Sequence, residues 1–224
     1  MTPTRITIVV ATGNQGKLRE LRAIVAHLPV ELVAMNEVLP KPLHIVEDGA
    51  TFEANARKKG EAVASATMSL TLADDSGLEV DALGGRPGVR SARFAHEKAT
   101  DAENNAALLS ALGEVDDPQR TARFRCVLAL FDPWAVPGAS PIFADGTCEG
   151  RIAREGQGTG GFGYDPLFLV SECDDRAMAE LDDAEKNRVS HRGRAANALL
   201  PKLVEIVEAR MHDVERVSQR RPKE

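Results

Sequence analysis

Cysteine is scarce in this sequence, and the scarcity excludes two classes of protein. The only three cysteines, Cys126, Cys148 and Cys173, are far apart, odd in number and free of any Cys-x-x-Cys pair, so neither a disulfide framework nor a zinc site is suggested. A reducing cytosol is the expected setting. Long apolar runs are missing too. No window approaches the ~20 uninterrupted apolar residues of a membrane span, and the N-terminus lacks the charged and apolar regions of a secretory signal. Nor is there an excess of basic residues: 28 Lys and Arg against 34 Asp and Glu give a net charge of −6. That balance argues against broad nucleic-acid binding and confines any functional cations to a local pocket. What remains, 43% hydrophobic and 28% charged residues in a chain of 224, can build a sizeable core and excludes disorder as the main state. The expectation is a soluble cytoplasmic protein with neither nucleic acid nor membrane as partner.

The densest chemistry lies at Asp74-Asp75-Ser76-Gly77. The apolar run Leu70–Ala73 predicts a short buried strand that stops at the two carboxylates, with Leu78–Leu83 as its hairpin partner or continuation. Strand ends are where α/β proteins collect ligands. Neighbouring side chains of an extended backbone point to opposite faces, so only one aspartate can face a given cleft. A carboxylate with a hydroxyl beside it suits a hard cation such as Mg2+ carrying phosphate oxygens. A solvated turn is the alternative.

Earlier in the chain, the β-branched run Arg5–Ala11 reads as a buried strand that breaks at Thr12-Gly13-Asn14-Gln15-Gly16-Lys17. A helix follows, with Leu18, Leu21, Ile24, Val25 and Leu28 at helical spacing up to Pro29. Strand, glycine loop and helix N-terminus make a natural phosphate cradle, although the pattern is not a Walker A loop and a plain turn would also explain the glycines. Val30–Met35 reads as a strand and 36–49 as a loop containing Pro40 and Pro42; Thr51 caps a helix over Phe52–Ala66, on which Lys58 and Lys59 read as a solvated face unless one of them is placed opposite the Gly13–Lys17 loop.

Beyond the aspartates, 84–88 is a tight loop and Thr100–Glu103 a capping box opening a helix that ends before Gly113. Arg123–Phe131 is a central strand, 133–141 a surface loop, and Ile142–Cys148 with Gly150–Arg154 a hairpin. The glycine-dense stretch Gly156–Pro166 suits close approach of backbone to a ligand, with Phe162 and Tyr164 able to stack on a heterocycle and core burial of Phe162 as the alternative. Asp182–Glu185 opens another helix, and Ser190-His191-Arg192-Gly193 caps the last one. Lys186, His191 and Arg192 form a donor-rich cluster able to address a carbonyl oxygen or phosphate, with exposed cations as the alternative. Pro201 implies a kink or break, and the charged tail 210–224 reads as frayed.

Several blocks occur in a fixed order: Thr12–Lys17 with Glu20, Glu47-Asp48-Gly49-x-Thr51-Phe52, Asn55-Ala56-x-x-Lys59, Ala73–Leu78, Leu83-Gly84-Gly85-x-Pro87-Gly88, Ser91-Ala92-Arg93, Gly158–Pro166 and Ser190–Gly193. Together they closely resemble the inosine/xanthosine triphosphate pyrophosphatases, the family acting on noncanonical purine nucleoside triphosphates. The match covers about residues 5–205 of a single domain spanning 1–224, leaving 208–224 as a charged extension. The resemblance implies an α/β fold with a long mixed sheet, flanking helices and two lobes around a central cleft, usually as a homodimer. It also implies a Mg2+-dependent hydrolase that converts ITP, dITP and XTP to the monophosphate and pyrophosphate, so cleansing the nucleotide pool.

Carried over residue by residue, Thr12, Gly13, Asn14, Gln15, Gly16 and Lys17 match the phosphate loop, and Asp75 the metal-binding and proton-accepting aspartate. Ser76 matches a substrate contact; Phe162, Gly163, Tyr164 and Asp165 match the base loop; Lys186, His191 and Arg192 match purine contacts. Glu47 and Lys59 match metal and triphosphate positions, and Gly60 departs from a frequent alanine. A carbonyl at purine C6 would accept from such donors, whereas adenine's amino group would leave a buried cation unpaired.

Overall fold

The computed structural model describes residues 5–41, 43–136 and 139–220; Pro42, part of the 133–141 loop and the last residues of the tail lie outside this description. A seven-stranded mixed sheet runs in the order β2-β1-β3-β4-β5-β6-β7. Its strands are β1 (Ile6–Val10), β2 (Val30–Ala34), β3 (Thr71–Val80), β4 (Thr121–Phe131), β5 (Ile142–Ile152), β6 (Phe168–Val170) and β7 (Arg176–Ala177). β1 pairs in parallel with β2 and β3, and every pairing from β3 to β7 is antiparallel. The helices are α1 (Gln15–Ile24), α2 (Met35–Val38), α3 (Phe52–Thr67), α4 (Asp101–Leu112), α5 (Asp183–Val189) and α6 (His191–Arg220).

Alternation along β1 divides the core. Ile8 and Val10 pack with Leu18 and Leu21 of α1 and with Leu199 and Leu203 of α6, while Val9 and Ala11 face Phe52, Ala56 and Val63 of α3. The long strands β3 and β4 extend past this end into a separate cluster, where Leu78, Val80 and Phe124 meet Leu108 and Leu112 of α4.

Some elements differ from the sequence expectation. β3 does not stop at Asp74 and Asp75; it runs through them and Gly77 because β4 pairs with every residue from Thr71 to Val80. β5 is likewise one strand rather than a hairpin, held by β4 on one side and β6 on the other. Residues 36–49 begin inside the short helix α2. α6 continues unbroken through Pro201, which is exposed while Leu199, Leu203 and Val207 keep one buried stripe on either side of it. Packing outweighs the missing backbone hydrogen bond. The tail is helical to Arg220 instead of frayed from residue 210: Arg210 donates to both carboxylate oxygens of Asp132 at 2.6 Å and lies over the Trp134 ring. Gly60 on α3 has a steric reason, since a Cβ there would sit 1.9 Å from the Phe131 ring. Among the described residues no helix is long and apolar enough to cross a membrane.

Candidate active site

β1 ends at Val10, whose partner on β3 is Leu72. From Ala73 onward β3 has β4 on one side only, until Pro87 bridges Glu79 on the other. The missing neighbour leaves an opening in the sheet beside Asp74–Gly77. A cavity of about 110 Å³ lies on the α1, α5 and α6 side, and one of about 270 Å³ on the α3 side. Asn14, Lys17, Ser76 and Ala92 line both, so the two cavities meet beside the opening.

The paired aspartates point to opposite faces, as extended backbone requires. Asp74 is buried on the α1 side. It accepts from Lys17 Nζ at 2.6 Å, Arg192 Nε at 2.7 Å and Ser76 Oγ at 3.0 Å, with Cys126 Sγ at 3.4 Å. Burial works to raise its pKa, but Arg192 and Lys17 overcome that and hold the carboxyl well below the usual aspartate range. Ser76 shares this face, so it is not the hydroxyl partner of Asp75 that adjacency in sequence suggests.

Asp75 faces α3. Its Oδ1 accepts from Lys59 Nζ at 2.6 Å, and the same ammonium donates to Glu47 Oε2 at 2.9 Å. Lys59 is therefore buried between carboxylates rather than on a solvated face, while Lys58 is exposed beside Asp48. Burial pushes Asp75 up to about 6 against the pull of Lys59; Glu47, more open, is held below the usual range by Lys59 despite its own desolvation. Asp75 Oδ2 is buried with no hydrogen-bond partner. That orphaned oxygen and the Glu47 carboxylate make an all-oxygen donor pair, and among the described residues no cluster of three or more His, Cys, Asp or Glu offers a fuller cage. Two carboxylates completed by phosphate oxygens and water is the arrangement that suits Mg2+.

In the Thr12–Lys17 loop, Asn14 caps α1 by accepting from Lys17 N at 3.1 Å, and Thr12 Oγ1 accepts from Asn14 N at 3.1 Å. Gly13 borders the α3-side cavity; Gln15 is exposed and lines neither cavity. Gly16 is required by packing, because a Cβ there would lie 2.6 Å from the Phe162 ring. That ring sits under Lys186 Nζ at 4.9 Å and near the Arg192 guanidinium at 5.7 Å.

The expected donor cluster is assembled but internally compensated. Lys186 is held by Asp165 at 2.6 Å and Glu20 at 2.7 Å; Arg192 is bound by Asp74, Glu20 and Ser76 and is 1% exposed. An ammonium has three N–H groups and a guanidinium five, so both keep donors for a ligand. His191 stacks on Phe124 and stays neutral, because burial and the cations around it push its pKa well down; its Nδ1 has no partner. Tyr164 lines the same cavity as Phe162 but is tied down. It is buried, with its hydroxyl donating to Ser91 O at 2.8 Å, while Gly163 is fixed by Asp101 and Asn105. Asp165 accepts from Phe162 N at 2.8 Å and shapes the loop.

Glu20 and Asp74 are the residues that sequence reasoning left out of the candidate set. A signal for Glu20 exists: it is a carboxylate between Leu18 and Leu21, buried along the apolar face of α1.

Fold and site define an α/β protein with two adjoining cavities beside its parallel strands, one lined by buried cations and an aromatic ring, the other by paired carboxylates. The chain belongs to the Ham1 family, whose model matches residues 8–202. It is 50% identical over 200 residues to the dITP/XTP pyrophosphatase of Desulforamulus reducens, covering 89% of this chain and 94% of that one. Identity to the dITP/XTP pyrophosphatase of Geobacter sulfurreducens is 52% over 188 residues, or 84% and 92% of the two chains. The structure of a HAM1 protein from Coxiella burnetii superposes with a TM-score of 0.77 at 42% identity, covering 89% of this chain and 99% of that one.

Proposed function

We propose that the protein hydrolyses ITP, dITP and XTP to the nucleoside monophosphate and pyrophosphate with Mg2+, acting in the cytoplasm as a homodimer whose residues 1–224 form one domain. The observation that carries this reading is the opening beside Asp74–Gly77, which lets one nucleotide reach both cavities. A purine on the Phe162 side leaves its α-phosphate at Ser76 and Lys17, beside Asp75, and its outer phosphates deeper in the α3-side cavity. Thr12, Gly13 and Asn14 then meet phosphate oxygens at the start of α1, where the helix dipole favours anions.

Lys186, His191 and Arg192 read the C6 carbonyl, and Asp165 with Glu20 orients the cations. Glu47 and the free oxygen of Asp75 would hold Mg2+, which supplies charge neutralisation at the phosphates. Asp75 takes the proton of the attacking water; the new bond forms to the α-phosphorus, and the α–β bridging oxygen leaves with its electron pair on pyrophosphate. Lys59 orients Asp75 and stays protonated, because the two flanking carboxylates raise its pKa against burial.

The test is a panel of ITP, XTP, dITP, GTP, ATP and UTP scored for pyrophosphate against orthophosphate. Pyrophosphate from the first three supports the reading, and orthophosphate or even turnover of all six contradicts it. Two further results are expected. Phe162→Ala removes a stacking surface worth about 1–3 kcal/mol, so KM for ITP rises roughly 5- to 150-fold while kcat changes little; unchanged KM would remove Phe162 from base binding. Because Asp75 must be unprotonated to act and is pushed up to about 6, kcat/KM falls as pH drops through that value. Mg2+ favours the carboxylate, so raising its concentration moves this limb to lower pH; an acid limb that does not move with Mg2+ would contradict Asp75 as its source.

A further inference from the structure

Three cations border the α3-side cavity, and they are not equally compensated. Lys59 lies within 3 Å of both Glu47 and Asp75, and Lys17 is 2.6 Å from Asp74. Arg93 has no carboxylate that close: its Nη2 donates to the backbone carbonyl of Glu47 at 2.6 Å, and its Nε is 3.7 Å from the exposed Glu97. Of five guanidinium N–H groups, one is held by that carbonyl, which leaves donors for a ligand.

The group is also well seated. Arg93 closes a short 3₁₀ helix, Gly88–Arg93, in which Ser91 Oγ accepts from Leu78 N at 2.8 Å and donates to Gly88 O at 2.6 Å. That hydroxyl fastens the helix to β3 at the far edge of the opening, and Ala92 lines both cavities.

We propose that Arg93 receives the leaving pyrophosphate, an assignment that rests on the hydrolase reading above. Pyrophosphate carries three to four negative charges, and a planar guanidinium fork matches two phosphate oxygens at once. Lys59 and Lys17 are already balanced by close carboxylates, so Arg93, whose carboxylate partner is distant and exposed, gains most from the departing anion. The monophosphate product stays on the other side of the opening and does not meet Arg93.

The test compares Arg93→Gln and Arg93→Lys with the parent, measuring by calorimetry the Kd of pyrophosphate and, separately, of IMP, with Tm alongside. In Arg93→Gln the Kd for pyrophosphate should rise about tenfold or more, the Kd for IMP should stay within about twofold, and kcat should fall. Arg93→Lys, which keeps the charge and loses the fork, should fall between. Unchanged pyrophosphate affinity in Arg93→Gln, or equal weakening of both products, would overturn the assignment and reduce Arg93 to a support for the Glu47 carbonyl. A parent enzyme that releases no pyrophosphate from ITP would overturn the hydrolase reading itself, an outcome distinct from either.

Discussion

Asp75→Asn is expected to lower kcat for ITP by about 10²–10⁴-fold, the range for loss of a positioned general base, and to do so without lowering Tm. The two halves of this prediction have one cause. Asp75 is buried with one oxygen unpartnered, and its pKa is pushed up to about 6. A carboxyl whose folded-state pKa lies above its ordinary value of 3.8 binds its proton more tightly when folded. It therefore adds stability below that value, loses it as pH rises through the folded value, and leaves the charged form strained at neutral pH. A neutral amide of the same shape relieves the strain, while Lys59 keeps Glu47 as partner. Thermal melting and single-turnover kinetics at pH 7.5 check this together; a Tm several degrees lower would mean that Asp75 stabilises the fold rather than being held in tension for catalysis.

Its sequence neighbour should behave in the opposite way. Asp74→Asn is expected to destabilise the fold by about 3–5 kcal/mol, because it leaves Arg192 and Lys17 without their shared counter-charge in a buried site. For a chain of 224 residues that corresponds to a Tm about 6–20 °C lower. The sign with pH follows from the depressed pKa. Asp74's contribution is fully present above the ordinary aspartate value and is lost as pH falls below it, so the parent should lose stability on acidification there and the variant much less. Equal melting temperatures for parent and variant would show that the network around Arg192 is not what joins α1 to α6. The same network governs how Arg192 substitutions are read: Arg192→Ala strands Asp74 and Glu20, so a loss of ITP affinity in that variant mixes base recognition with stability, whereas Phe162→Ala separates them.

Much of this architecture was legible because local signals and packing agree. β1 is β-branched throughout, Thr51 and Thr100 cap α3 and α4 as their side chains dictate, and the strand-loop-helix of 6–24 places Lys17 where the dipole favours anions. Ambiguity arose where pairing overrides local chemistry. Paired carboxylates followed by glycine read as the end of a strand, yet β4 pairs with the whole of Thr71–Val80 and carries β3 through them. Alternation over Ile142–Cys148 and Gly150–Arg154 read as a hairpin, yet β5 is one strand, and its Gly146 and Gly150 are places where another segment crowds it, since a Cβ would lie 2.2 Å from His191 O and Leu169 O respectively. Alternation did show that Asp74 and Asp75 part company. It did not show which faces which cavity, because that depends on β1 ending at Val10, a tertiary fact. The buried partners of Arg192 were hidden for a similar reason: Glu20, Asp74 and Arg192 are distant in sequence, and only the packing of α1 and α6 on one face of the sheet brings them together.

The central claim is that the nucleotide crosses the sheet opening with its α-phosphorus beside Asp75 and its outer phosphates beyond. Hydrolysis of ITP in water enriched in ¹⁸O, with both products analysed by mass spectrometry, tests it most directly. Label in IMP alone is the predicted result, since the attacking oxygen must end on the α-phosphorus. Label in pyrophosphate would mean attack on the β-phosphorus, with the nucleotide shifted along the opening by one phosphate so that the β-phosphorus, not the α-phosphorus, lies beside Asp75.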